Sequence, residues 1–303
     1  MGTARKAGKV ARTAMLKGVY NRKLKGKRMI VVPMKGVHRM EIRNQTIDNG
    51  QAFDWGRTSK EYAKYRDIYP KEFYEKLAEL SLGVEEQTVL DIGTGTGVIP
   101  RNMYGYGADW TGVDISENQI SYAKQLSKEA GMDIRYLVSA AEDIDFSDES
   151  FDVIIACQCF MYFNKDIILP KIHRILKPDG HFAILFMAWL PEESEIAKAS
   201  EEMVLKYNPS WTGGHMRRYS LDAPPWCKDM FEPVNMLAYD LPVTFTRDTW
   251  HGRIKACRGI GASSLSQDEI AAWEREHMAY MQTVPEVFDI LHYVTILDVK
   301  KVG

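Results

Sequence analysis

The apolar positions change period along the chain. Short apolar runs at 88–92, 110–113, 134–138, 151–156 and 181–187 read as strands bounded by turn formers. Between them, apolar residues recur every three or four positions, which predicts helices over 58–66, 71–81, from 97, over 117–130 and over about 165–176. Tyr69-Pro70 separates the first two helices. Ser116 stands at an N-cap position with Gln119 three residues on, and Gly131 closes that helix. At 190–235 the rhythm breaks. A helix over 193–206 leads into NPSWTGGHMRRYSLDAPPWCKDMFEP, rich in turn formers and aromatics and too long for a simple connection. This stretch reads as an insertion or lid, with Trp211, Tyr219, Trp226 and Phe231 covering a compact ligand. A strand at 236–245, helices at 247–257 and 267–282, and a strand at 288–300 complete the chain. Alternation of this kind predicts an α/β fold: a doubly wound, mostly parallel seven-stranded sheet with helices on both faces.

Composition narrows the class. The chain has 303 residues, 45% hydrophobic and 26% charged, which suits a soluble globular protein of one or two domains. No apolar run approaches ~20 residues, so no membrane span is expected. The net charge of −2 hides a basic arm, because residues 1–40 hold 12 Lys or Arg and no Asp or Glu. We read 1–45 as a solvated, disordered arm ahead of a domain over 46–303, with an organelle-targeting peptide or a polyanion anchor as alternatives. Lys6 occupies the position where a myristoylation signal needs Ser or Thr. Cys157, Cys159, Cys227 and Cys257 lack metal-site spacing and read as reduced thiols of a cytoplasmic protein, with no metal expected.

The chemistry concentrates in VLDIGTGTGVIP, residues 89–100. A short apolar strand ends in Asp91, and glycines follow at 93, 95 and 97 before a helix begins near Val98. Such a turn brings backbone against a ligand at a helix N-terminus. Seventeen residues past Gly97, WTGVDIS ends a second strand in Asp114, placed to accept hydrogen bonds from ribose hydroxyls. A dinucleotide fingerprint would place its third glycine at 98, where Val98 stands. Asp91 would repel a pyrophosphate and suits a cationic ligand end.

Asp-x-Gly-x-Gly-x-Gly followed by Asp114 resembles the cofactor motifs of class I S-adenosylmethionine-dependent methyltransferases of the small-molecule type. SAAEDIDFSDESFDVIIACQCFMYF (139–163), ILKPDGHFAILF (175–186) and EYAKYRDIYP (61–70) extend the likeness, which is good over roughly 50–190. The resemblance implies a Rossmann-like core over about 85–190, a last strand that is antiparallel beside the sheet edge, and S-adenosylmethionine as cofactor. It implies that Asp91 and the amides of Gly93, Thr94, Gly95 and Gly97 hold the cofactor's amino-acid end, and that Asp114 takes the ribose while Ile115 packs on the adenine. Ala141 and Glu142 would meet the adenine edge, and Cys157 and Gln158 would line the methyl end. Tyr65 and Arg66, with Tyr62, would close over the cofactor.

The acceptor site is read more coarsely. His215, Arg217, Arg218, His251 and Arg253 are its polar candidates, with His215, His251 and Arg253 the ones considered for catalysis. TRDTWHGRIKACRGIG (246–261) resembles a helix of methyltransferases that act on small carboxylic acids, where an Arg pairs with the acceptor. The leading expectation is a methyltransferase with a small-molecule acceptor, acting as monomer or homodimer, with nucleic acid not expected as a partner. Alternatives are an RNA or protein methyltransferase anchored by the basic arm, a silent cofactor-binding module, and a nicotinamide dehydrogenase, which the glycine spacing disfavours.

Overall fold

The computed structural model describes residues 32–33 and 40–303. The expected disorder of the basic arm concerns residues that otherwise lie outside this range. Two short antiparallel strands, β1 (Val32–Pro33) and β2 (Met40–Glu41), precede the main sheet. That sheet holds β3 (Thr88–Ile92), β4 (Asp109–Asp114), β5 (Arg135–Val138), β6 (Phe151–Cys157), β7 (Leu176–Trp189), β8 (Phe231–Thr246) and β9 (Val287–Lys301), in the order β5-β4-β3-β6-β7-β9-β8. The pairs among β3 to β7 are parallel; β9 runs antiparallel between β7 and β8. The last strand is therefore antiparallel beside the sheet edge as expected, lying between β7 and the edge strand β8.

Among the described residues, eight α-helices surround the sheet: α1 (Ser59–Tyr65), α2 (Lys71–Glu79), α3 (Val98–Met103), α4 (Glu117–Glu129), α5 (Lys165–Ile175), α6 (Glu195–Tyr207), α7 (Arg247–Lys255) and α8 (Gln267–Met281). Local chemistry explains their ends. Ser116 caps α4 by accepting from the Gln119 amide at 3.4 Å, and Gly131, at φ +68°, closes it with Met132 N donating to Ser127 O at 2.9 Å. α8 opens on a reciprocal capping box between Ser266 and Glu269. Alternate residues of the central strands feed two cores. Val89, Val153 and Ile155 join the core containing Trp250 and Trp273, while Leu90, Ile92 and Ile154 join the one containing Phe160 and Phe182. Burial on both faces accounts for the unbroken apolar runs of these strands.

Some expected boundaries move. Residues 177–180, between the expected helix end near 176 and strand start at 181, lie within β7, where the pairing jumps from Phe151–Leu176 to Val153–His181 and Asp179 takes φ +64°. This is a bulge rather than a strand start. β8 begins at Phe231, five residues before the expected 236, and carries Pro233 and Pro242. An edge strand tolerates proline because one side of its backbone is unpaired.

Among the described residues, no helix is long and apolar enough to cross a membrane, and no group of three or more His, Cys, Asp or Glu is placed to hold a metal.

Candidate active site

β3, β4 and β6 end side by side, and the loops leaving them bound a cavity of about 560 Å³. Such a crevice outside the carboxyl ends of the strands is where open parallel sheets bind ligands. Gly93, Gly95, Asp114, Ile115, Ala141, Glu142, Cys157 and Gln158 all line it, and so do Arg66 and Arg253. Sequence positions 66 to 253 thus converge on one space.

The glycine turn is built by close approach. Gly93 has φ +74°, and a Cβ there would stand 2.7 Å from Cys159 Sγ; at Gly97, also φ +74°, a Cβ would stand 2.3 Å from Tyr136 Oη. Neither position admits another residue without rearrangement. The turn's amides are already committed. Gly93 N and Thr94 N donate to Val113 O at 2.7 and 3.0 Å, Gly95 N donates to Asp114 Oδ2 at 2.9 Å, and Gly97 N donates to Thr94 O at 2.9 Å. This corrects the expectation that these amides grip a ligand. Three of the five amides of 93–97 bond to the end of β4 and one bonds within the turn, so the loop offers few donors to an anion.

Of the carboxylates at the strand ends, Asp114 and Glu142 line the cavity and Asp91 does not. Asp91 is 1% exposed, and neither of its oxygens has a hydrogen-bond partner among the described residues. Burial, opposed by the nearby Thr94 side chain and reinforced by the Asp114 carboxylate, pushes Asp91 up to about 7. An orphaned buried carboxylate is costly unless a cation or donor completes it. Asp114 is better served: it accepts from Gly95 N and from Ser116 N, the latter at 2.8 Å, which partly offsets the upward push of burial. Each of its oxygens keeps a further lone pair for a diol. Glu142 is raised by burial and accepts from Asn164 N at 2.7 Å.

Aromatic side chains form much of the wall. Tyr62, on α1, lies over Gly95, and the Arg66 guanidinium stacks 4.8 Å from its ring centroid. Tyr65 is turned away: its ring packs on Gly252 of α7, and its hydroxyl faces Lys64 and Asp248. Tyr62 takes the place expected of Tyr65 because the cavity face of α1 runs through positions 62 and 66, four apart. Trp55, Tyr162, Trp189 and Trp211 also line the cavity, as do Ile42 and Ile47. Ile42 pairs with Phe53 through two backbone bonds of 2.8 and 3.1 Å, which ties the chain before residue 46 to this wall. Neither motif nor periodicity marks residues 42–55; Phe53 and Trp55, two aromatics in a polar stretch, are the cues.

At the far end, Cys157 Sγ lies 3.4 Å from the Tyr69 hydroxyl, and burial pushes its thiol up to about 12. Gln158 takes φ +63°, with its side-chain amide donating to Met187 O. Arg253 is 4% exposed and stacks 4.9 Å from the Trp189 ring centroid. Its Nε and Nη1 have no hydrogen-bond partner among the described residues, and burial brings it down to about 9.

The other polar candidates stand elsewhere. His251 is locked in a buried network: its Nδ1 lies 2.9 Å from His277 Nδ1, its ring stacks on Trp273, and it does not line the cavity. His215 has an exposed ring, with Nδ1 3.9 Å from Glu201 Oε2, and its backbone N donates to the same oxygen at 2.8 Å. Arg217 is exposed, and Arg218 is paired with Glu193 and Asp240. Of the expected lid aromatics, only Trp211 reaches the cavity. Trp226 and Phe231 pack with Phe160 and Phe182 in the core, and Tyr219 lies against Tyr293. Arg258, not expected from the sequence, lines the cavity while its Nε holds Asp48 at 3.2 Å.

With this geometry in hand, comparison places the chain among known proteins. A family profile described as a methyltransferase domain matches residues 90–184. "Uncharacterized methyltransferase YcgJ" of Bacillus subtilis is 31% identical over 174 residues, covering 54% of this chain and 64% of the relative. "Demethylmenaquinone methyltransferase" of Tropheryma whipplei is 31% identical over 150 residues, covering 49% of this chain and 60% of the relative. The chain thus spans less than two thirds of the length of either. A solved structure described as a candidate type II methyltransferase from Anaeromyxobacter dehalogenans superposes with a TM-score of 0.50 at 19% identity, covering 77% of this chain and 96% of that one. That likeness speaks to the fold.

Proposed function

We propose that this chain, a class I S-adenosylmethionine-dependent methyltransferase, moves the cofactor's methyl group to a small-molecule acceptor by in-line displacement. The observation that carries the reading is Asp91: a buried carboxylate with two unpartnered oxygens beneath a glycine turn that spends its own amides. A cationic amino-acid end meets that demand, whereas a pyrophosphate would meet repulsion.

The bound cofactor supplies an activated methyl on a sulfonium, so the protein's work is binding, alignment and exclusion of water. In this reading Asp91 holds the ammonium and Arg66 the carboxylate of the amino-acid end. Asp114 accepts from the ribose hydroxyls with the lone pairs that Gly95 and Ser116 leave free. Ile115, Ala141 and Glu142 surround the adenine. Cys157 and Gln158 close the methyl end, where the tie from Gln158 to Met187 fixes the backbone and the raised Cys157 thiol stays protonated and unreactive toward the methyl group. Trp55, Tyr62, Trp189 and Trp211 keep the space dry. A cavity of about 560 Å³ falls within the size range of small-molecule sites. A relative named for methylating demethylmenaquinone supports an acceptor of that kind.

The test is a transfer assay with methyl-labelled cofactor and a panel of small acceptors, run on the full chain and on a chain lacking residues 1–40. Equal turnover by the two supports a small-molecule acceptor. Transfer only to RNA or protein, dependent on the arm, would replace that reading with the polymer alternative.

A further inference from the structure

We propose that Glu201 is a positioning residue for the transfer: its one buried carboxylate sets both the Trp189 indole and the 211–216 loop, two parts of the cavity wall left for the acceptor. The inference rests on the methyltransferase reading above and adds what fixes the acceptor's surroundings.

Glu201 lies on α6, is 2% exposed and does not line the cavity. Its Oε1 accepts from Trp189 Nε1 at 2.5 Å, and its Oε2 accepts from His215 N at 2.8 Å. The two donors come from separate elements, the end of β7 and the loop after α6. Among the described residues, no Lys or Arg stands within ion-pair distance of this carboxylate; the exposed His215 ring is 3.9 Å away. Asp48, which anchors the same loop by accepting from Thr212 N at 2.8 Å, is answered by Arg258 at 3.2 Å. Burying a carboxylate without a matched cation carries a cost that an apolar side chain would not. The return is direction. A carboxylate accepts at both ends, so one side chain fixes two N–H groups, and its amide analogue accepts at one end only.

Both donors belong to the wall. Trp189 lines the cavity, with its ring 5.5 Å edge-on from Trp250 and 4.9 Å from the Arg253 guanidinium. Holding Nε1 fixes which way that ring turns. On the other arm, Trp211, Thr212, Gly213, Gly214 and Met216 line the cavity. This stretch is folded tightly onto its anchors: a Cβ at Gly213 would stand 2.5 Å from Trp211 Nε1, and one at Gly214 would stand 3.0 Å from Glu201 Oε2. His215 then takes φ +60° and contributes its main chain to the latch. Met187, two residues before Trp189, accepts from the Gln158 side chain, so the wall that Glu201 sets is continuous with the methyl end. In-line displacement is sensitive to small misplacements of the acceptor, and a loose wall admits water. Glu201 reaches neither reactant and acts through Trp189 and the loop.

The experiment uses the full chain labelled with 15N-tryptophan and saturated with S-adenosylhomocysteine. Trp189→Phe identifies the Trp189 indole resonance by its disappearance. Glu201→Leu removes both acceptors, and Glu201→Gln leaves one. In Glu201→Leu the Trp189 indole N–H should move upfield, and amide hydrogen exchange over 208–218 should accelerate about tenfold or more while the rest of the chain stays within about twofold. Should Glu201→Leu not fold, Glu201→Gln carries the test and must move the indole resonance or the loop exchange. In transfer assays with labelled cofactor, Glu201→Leu should raise the KM of the best-turned-over acceptor about tenfold with a smaller change in kcat, and Glu201→Gln should fall between it and wild type. S-adenosylhomocysteine affinity by calorimetry should stay unchanged in both variants. An unmoved indole resonance with unaccelerated loop exchange, exchange that rises evenly over the whole chain, or an unchanged acceptor KM would overturn the proposal. A wild-type chain that does not bind S-adenosylhomocysteine would instead remove the reading on which it rests.

Discussion

Asp91 holds the position on which the cofactor assignment turns, and its environment makes the assignment testable by pH. In the ligand-free protein, burial raises its carboxyl to about 7, against the Thr94 side chain and with a smaller push from Asp114. Below that value the group is protonated and offers nothing to an ammonium; above it the anion binds. Affinity for S-adenosylhomocysteine should therefore rise between pH 6 and pH 8 and then level, and a flat calorimetric profile would take Asp91 out of the ligand's reach. Asp114 acts differently. It ties the turn through Gly95 and keeps lone pairs for the ligand. Asp114→Ala should weaken S-adenosylhomocysteine binding by about 1–3 kcal/mol in a titration, the usual cost of such a hydrogen bond. Gly97→Ala combines a left-handed backbone with a 2.3 Å approach to Tyr136 Oη and should cost about 1–3 kcal/mol of stability in urea unfolding. These positions were legible in the sequence because they are local: an acid, three glycines and a second acid at fixed spacing place themselves. Tyr62 and Tyr65 were not separable, since three positions on a short helix differ only by which neighbour, Gly95 or Gly252, the ring meets.

At the scale of elements, the cavity is closed by segments distant in sequence. The segment 42–55, the loop after α6 and the end of α7 meet at Asp48. Its Oδ1 accepts from Thr212 N at 2.8 Å, and its Oδ2 holds Arg258 Nε at 3.2 Å. Both charged groups are buried, so removing one leaves the other uncompensated. Asp48→Ala should cost about 3–5 kcal/mol in chemical denaturation and should expose residues 208–224 to limited proteolysis. Unchanged stability and an intact loop would show that this tie does not hold the wall. Helices and parallel strands were legible because burial imposes periods of 3.6 and 2 on the sequence. The loop's role was legible only in outline. Its aromatics look alike in sequence, yet Trp226 and Phe231 fill the core under β6 and β7 while Trp211 faces the cavity. Nothing local separates them, because the choice is made by the strands they meet.

The whole molecule carries histidines that burial keeps neutral. His277 and His292 are lowered to about 3, both through burial first. The unfolded chain takes up these protons near pH 6.5 and the folded chain does not, so their contribution to stability is present above about pH 6.5 and is lost as pH falls toward 3. His277→Gln should reduce the loss of stability between pH 7 and pH 5 by about 2 kcal/mol relative to wild type, measured by urea unfolding at the two pH values. An identical pH dependence in the two proteins would contradict the burial argument. These histidines lie away from the cavity, and His251, joined to His277, belongs with them in the scaffold that carries α7 and hence Arg253. The central claim is that two adjacent strand tips and the turn between them bind the amino-acid and ribose ends of an S-adenosyl compound. Calorimetry of S-adenosylhomocysteine on the purified full chain tests it most directly. The account predicts one-to-one binding with measurable heat, weakened in both Asp91→Asn and Asp114→Ala; no heat from the folded wild-type protein would contradict it.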